Sequence, residues 1–132
     1  MTAVELIVKL DKLKANDIDV DIKRTWLTNV FWQVVTEIID KAEDAKPHSD
    51  YEMTTASAGS KVVKMDTDLL VDEPYDELYV YYMMAQIDLA YDETDKYNKH
   101  MMLFNSAFQT FAKHYRRNHK PKGVKKFKYY GG

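Results

Sequence analysis

The sequence predicts an all-α fold: a small helical bundle of about four helices, with a long loop or β-hairpin insertion between the second and third and an extended C-terminal arm. Three observations predict it. Apolar residues recur at spacings of three and four in four separate segments, which is the period of one helical face. Only four Gly and three Pro punctuate 132 residues, few for a strand-rich chain with many tight turns. The balance of 45% hydrophobic to 30% charged residues is that of a globular chain of single-domain length.

Thr2 and Glu5 have the spacing of a capping box, in which each side chain satisfies the other residue's free backbone N–H. A first helix over 3–15 follows, with Leu6, Leu10 and Leu13 beside Val4 and Ile7 as its apolar stripe; Asn16 and Asp17 suit its end. Asp19 or Asp21 caps a second helix. Its pairs Trp26 and Leu27, Val30 and Phe31, Val34 and Val35, Ile38 and Ile39 step by four, and it is expected to run to about Glu43, before Pro47. Its β-branched residues lower intrinsic helix propensity, so packing must stabilise it.

Residues 45–72 lose the helical period and gather Ser, Thr and Asp. Segments 51–55 and 61–65, bracketing Ser57, Ala58, Gly59 and Ser60, can pair as a short hairpin. A third helix is expected from Pro74, a residue that suits the first helical position, with Asp72 and Glu73 at the positive end of the dipole. Tyr75, Leu78, Tyr82, Ala85 and Leu89 form one stripe, and Tyr79, Met83, Ile87 and Ala90 a second beside it, so this helix is apolar around most of its circumference. After a polar break at 92–95, Tyr97, Met101, Phe104, Phe108, Phe111 and Tyr115 make a 4-3-4-3-4 seam. The third and fourth helices are therefore expected to form an antiparallel hairpin. Residues 1–117 read as the helical domain, 46–72 as its insertion, and 118–132 as an arm that spans up to roughly 50 Å if fully extended.

The net charge of −2 hides a division. Residues 1–95 hold all 21 acids and nine bases, a net −12, whereas 96–132 hold ten bases and no acid. Such asymmetry signals a partner for one end, or head-to-tail contact between copies. The chain has no Cys, which excludes disulfides, thiolate metal sites and Cys nucleophiles and fits a reducing compartment. No apolar run approaches the length of a membrane span, and no export signal opens the chain.

No catalytic constellation emerges. His48 falls in the loop, and His100, His114 and His119 do not share a helical face with acids, so solvated histidines are expected rather than a metal site. Asp66, Asp68, Asp72, Glu73, Asp76 and Glu77 lack the alternate-residue ligand pattern and central Gly of a calcium loop. They read as a solvated face, as helix caps, or as a seat for a basic neighbour. No phosphate-binding glycine loop or nucleophile triad is present, and no cofactor is expected. The basic arm, with Lys122, Lys125, Lys126 and Lys128 among Phe127, Tyr129 and Tyr130, has three readings: stacking on nucleic acid, docking on a protein through aromatic anchors, or a solubilising tail. Arg116 and Arg117 lie at a helix end, where cations complement the dipole.

The order of elements carries a resemblance. Val4, Glu5, Leu6 and Ile7 open a short helix, and Trp26 and Leu27 lead a second into Glu37, Ile38 and Ile39. After a variable loop, Asp66, Thr67, Asp68, Leu69, Leu70 and Val71 run to Pro74, Tyr75, Asp76, Glu77, Leu78, Tyr79, Val80, Tyr81 and Tyr82. Met84, Ala85, Gln86, Ile87 and Asp88 follow. Tyr97, Asn98, Phe104, Asn105, Ala107 and Phe108 then close on Tyr115, Arg116, Arg117 and His119 before Lys120 and Pro121. This string, over about residues 3–122, is similar to the small head–tail connector (adaptor) proteins of siphophages that infect Gram-positive hosts. The resemblance implies a structural virion protein at the head–tail interface, made in the host cytoplasm. It implies a ring, usually of twelve copies, between the portal protein and the next neck protein, extending a channel through which DNA passes without sequence-specific binding. It further implies docking on the portal through the C-terminal segment, here Lys122, Lys125, Lys126, Phe127, Lys128, Tyr129 and Tyr130. The charge division fits such a ring if Lys113, Arg116 and Arg117 of one copy face Asp66, Asp68, Asp72, Glu73, Asp76 and Glu77 of the next. The alternative expectation is an accessory protein that binds nucleic acid through the basic arm.

Overall fold

The structure is a computed structural model that describes residues 1–123. Four helices, α1 (Ala3–Leu13), α2 (Val20–Glu37), α3 (Glu77–Ala90) and α4 (Thr94–Asn118), are joined by one small antiparallel hairpin, β1 (Met53–Thr55) and β2 (Lys61–Val63), lying between α2 and α3. Short 3₁₀ turns at Ile39–Lys41 and His48–Asp50 complete the regular structure.

The cap at Thr2 forms as its residues dictate: the Thr2 hydroxyl accepts from the Glu5 N–H, and the Glu5 carboxylate accepts from the Thr2 N–H. Ala3, Leu6, Ile7 and Leu10 form the buried stripe of α1. Val4 and Leu13, expected in that stripe, are exposed instead; the stripe is narrower because α1 lies over α2 and α3 with its outer arc in solvent. Asp19 caps α2 by accepting from the Asp21 N–H.

α2 stops at Glu37, short of the expected Glu43, and tightens into the 3₁₀ turn. The tighter turn buries Ile39 and Ala42 and frees the backbone of 41–43. That backbone is then used by the start of the arm. The Glu43 N–H donates to the Lys120 carbonyl, the Lys122 N–H donates to the Lys41 carbonyl, and Ala42 bridges to Pro121. Residues 118–122 are thus tied to the helical body rather than free of it.

The hairpin has the expected place and pairing, with Met53 opposite Val63 and Thr55 opposite Lys61. Its turn closes with the Gly59 N–H on the Ala56 carbonyl and the Ala56 N–H on the Ser60 carbonyl, and Gly59 takes φ +88°, the left-handed conformation that glycine adopts at least cost. Thr28 of α2 holds β2 in place: its hydroxyl accepts from the Val63 N–H and donates to the Arg24 carbonyl. The segment after β2 pairs with the amino terminus, the Ala3 N–H donating to the Thr67 carbonyl and the Val4 N–H to the Met65 carbonyl.

α3 begins at Glu77, three residues beyond the expected start at Pro74. Tight turns, in which Tyr75, Leu78 and Tyr79 donate to Asp72, Tyr75 and Asp76, carry the chain over 72–79 and seat Tyr75 on Phe111 and His114 of α4. From there α3 is buried on most sides by Leu78, Tyr79, Val80, Met83, Ala85 and Ile87. It packs on α4 as an antiparallel hairpin through Phe104, Phe108, Phe111 and Ala112, and α1 and α2 cover its remaining faces. All of these residues but Ala85 belong to one hydrophobic cluster, and each fully buried Phe or Leu contributes about 2 kcal/mol.

Candidate functional site

The structure distributes the six carboxylates of 66–77 over three settings. Asp66 and Asp68, both exposed, flank the strand-like segment bonded to the start of α1, near its positive dipole end. Together with Lys46, Lys64 and Tyr51 they line a groove of about 380 Å³. Asp72 and Glu73 stand at the rim of a second cavity, of about 490 Å³, whose walls are Tyr75, Phe111, His114 and Tyr115. Glu73 also joins Asp76, Glu77 and Glu5 around a third cavity of about 590 Å³, open to solvent between α1 and the start of α3. Asp76 is only 8% exposed there, while Glu77 accepts a hydrogen bond from the Tyr81 hydroxyl at 3.1 Å.

The basic residues at the end of α4 are free to meet a neighbour. Lys113, Arg116 and Arg117 are exposed, and Arg117 donates through Nε to the Lys113 carbonyl at 3.3 Å. Lys122 is exposed and held by its backbone. Lys125, Lys126, Phe127, Lys128, Tyr129 and Tyr130 lie outside the described residues.

Three of the four histidines pair with aspartates; the His48 ring stays half exposed, as expected of a solvated histidine, whereas His100 is largely enclosed. His48 contacts Asp40 at 2.6 Å, His119 contacts Asp44 at 2.9 Å, and His100 contacts Asp88 at 2.5 Å. The rings also stack: His119 on Tyr115 with centroids 3.7 Å apart, and His114 on Tyr75 at 4.4 Å. The partners come from other elements, which is why helical spacing did not reveal them. Among the described residues no group of three or more His, Asp or Glu is arranged to hold a metal ion.

Asp88 is the centre of a polar brace that the sequence pattern did not show. It has no solvent exposure and binds both His100 of α4 and the ammonium of Lys14, which follows α1. Lys14 also binds Glu93 at 3.0 Å, and Lys96 reaches Glu93 at 2.7 Å. Burial works against the charge of Lys14, yet hydrogen bonds to Asp88 and Glu93 hold its pKa above the ordinary lysine value. Hydrogen bonds from Lys96 and Lys14 hold Glu93 below the ordinary carboxylate value. The brace fastens the end of α1 to the α3–α4 turn. Its one sequence signal is the single charged residue, Asp88, in the stretch from Leu78 to Ala90.

Fold and surfaces together define a small, mainly helical protein with a hairpin between its second and third helices, in which among the described residues no helix is long and apolar enough to cross a membrane. No family model, curated protein or solved structure matches the chain.

Proposed function

We propose that this chain is a structural subunit of a bacteriophage neck, a head–tail connector that assembles into a ring between the portal protein and the next neck protein. The observation that carries this reading is the division of charge as it lies on the bundle. Exposed cations of Lys113, Arg116 and Arg117 end α4, and carboxylates of 72–77 gather where α3 begins, at the same end of the α3–α4 hairpin. Surfaces of opposite charge on one subunit favour association of like copies and steer their encounter. The ordered resemblance over residues 3–122 supports the same reading and supplies the partners: further copies, the portal, and the next neck protein, with DNA passing through the channel and no cofactor. The segment from Lys122 to Tyr130 is the proposed portal-docking arm, its aromatics the anchors and its lysines the charge match.

Immobilised portal protein tests this directly. The full chain is expected to be retained and to form rings visible by electron microscopy, and a chain ending at Gly123 is expected to lose retention. Retention on DNA that falls steeply with salt, without retention on the portal, would favour the nucleic-acid reading of the arm instead.

A further inference from the structure

Two flanks of the bundle carry complementary features in the same order, and contacts within the subunit set their relative heights. At one end of α3, Tyr75 stacks on His114 of α4. At the other, Asp88 binds both Lys14 and His100. α1 therefore runs in the direction of α3, and α4 runs against it. Both helices pack on α3 and have little contact with each other.

On the α1 flank, the cavity of about 590 Å³ is lined by Glu5, Glu73, Asp76 and Glu77, with Lys9 and the amino group of Met1 as the cations beside them. Four anions face two cations. Asp76 is 92% removed from solvent, and among the described residues its carboxylate has no hydrogen bond or ion pair, although it faces this cavity. The remaining exposure of this residue is toward the cavity, where the excess of anions attracts an entering cation. The carboxylates are not clustered closely enough to hold a metal ion, so the fitting cation is one carried on a long side chain. The cavity runs on, through Glu5 and Lys9, into a shallow apolar groove of about 530 Å³ lined by Val4, Val8 and Leu13. Those three side chains are 40%, 48% and 56% exposed.

The α4 flank mirrors this order. Met102, Gln109, Lys113 and Arg116 are separated by seven, four and three residues, which places them on one stripe of the helix. Arg116 and Lys113 lie within a turn of His114, at the height of the cavity. Met102, at 73% the most exposed large apolar side chain among the described residues, lies within a turn of His100, at the height of Leu13. Arg117 donates its Nε–H to a carbonyl of its own helix, whereas Arg116 lies on the stripe with its guanidinium exposed.

We infer that the α1 flank of one copy docks on the α4 flank of a second copy, with Arg116 entering the carboxylate cavity at Asp76 and Met102 lying in the groove at Leu13. This rests on the reading of the chain as a ring subunit and names the surfaces that join its copies. The two surfaces differ, so the contact is heterologous. It repeats from copy to copy and closes when the rotation between copies divides a full turn.

The absence of native Cys makes the test clean. Full-length Leu13→Cys and Met102→Cys chains are oxidised separately and as a mixture, alone at high concentration and bound to the portal. The expected result is a cross-linked pair in the mixture, none from either variant alone, and a ladder of oligomers from the double variant. Homodimers of either single variant, or no cross-link in material where electron microscopy shows rings, would overturn this interface while leaving the ring intact. Absence of any ring, free or on the portal, would overturn the ring and the interface together. Charge gives an independent arm: Arg116→Glu is expected to weaken assembly by about tenfold or more, and adding Glu73→Arg to the same chain to restore it. An unchanged assembly constant in Arg116→Glu would also overturn the proposal.

Discussion

A carboxylate with no exposed surface survives in a small core only if its neighbours supply the charge and hydrogen bonds that water would have given, and at Asp88 two cationic or proton-bearing side chains do so. Replacing one member of such a set is costlier than replacing all of them, because the survivors stay enclosed and unpaired. Asp88→Ala is therefore expected to lose about 3 kcal/mol in urea denaturation, and Lys14→Met/Asp88→Leu to recover part of that loss. The brace also sets an alkaline limit. The pKa of Lys14 is raised in the folded chain, so its contribution is complete below the unfolded lysine value of 10.5 and is lost as pH rises through the higher folded one. The stability difference between the native chain and Lys14→Met is thus expected to hold steady through neutral pH and to shrink above pH 10.5; a difference that grew there would contradict the assignment. Glu93 behaves in the opposite sense, its lowered pKa giving a contribution present above 4.5 and lost as acid protonates it. Beyond a lone Asp in the third helix, none of this was legible in the sequence, because Lys14 and Asp88 are 74 positions apart and periodicity reports only neighbours on one face.

At the scale of elements, the signals read well wherever local chemistry decides the outcome. The Thr2 and Glu5 box, the Asp19 cap, the hairpin about Gly59 and the seam of α4 all form as their residues dictate. Boundaries moved where a tertiary contact competed. α2 ends early because the backbone of 41–43 bonds to 120–122, and α3 starts late because the turns before it seat Tyr75 on α4. The α3–α4 connection is a further case. It is a Schellman turn, with the Glu93 N–H on the Asp88 carbonyl and the Asp92 N–H on the Leu89 carbonyl, and Asp92 takes φ +59° in the place where glycine is usual. An Asp tolerates that conformation better than most residues but less well than glycine. Asp92→Gly is accordingly expected to stabilise the chain by up to about 1 kcal/mol, read as a higher urea midpoint at unchanged slope. A lower midpoint would mean that the Asp92 side chain contributes more than its backbone costs.

For the molecule as a whole, the division of charge was plain in the sequence, but the faces that carry it were not, since the six acids of 66–77 spread over three settings once the chain folds. The arm shows the same limit. Composition marked 118–132 as one extended piece, yet 118–123 is structurally part of the body. Two backbone hydrogen bonds join Lys120 and Lys122 to Glu43 and Lys41, and His119 stacks on Tyr115 while meeting Asp44. A chain ending at Asn118 loses all of these contacts, whereas one ending at Gly123 keeps them. At roughly 1 kcal/mol for each net hydrogen bond, the shorter chain is expected to be about 2 to 3 kcal/mol less stable than the longer in parallel urea titrations. Equal stabilities would return 118–123 to the arm. The distinction governs how portal capture is interpreted. Cutting at Asn118 removes part of the fold along with the proposed docking residues, so lost capture there has two causes. Cutting at Gly123 removes Lys125, Lys126, Phe127, Lys128, Tyr129 and Tyr130 and keeps the contacts of 118–123. Capture lost at Gly123, with stability unchanged, therefore belongs to the docking segment alone.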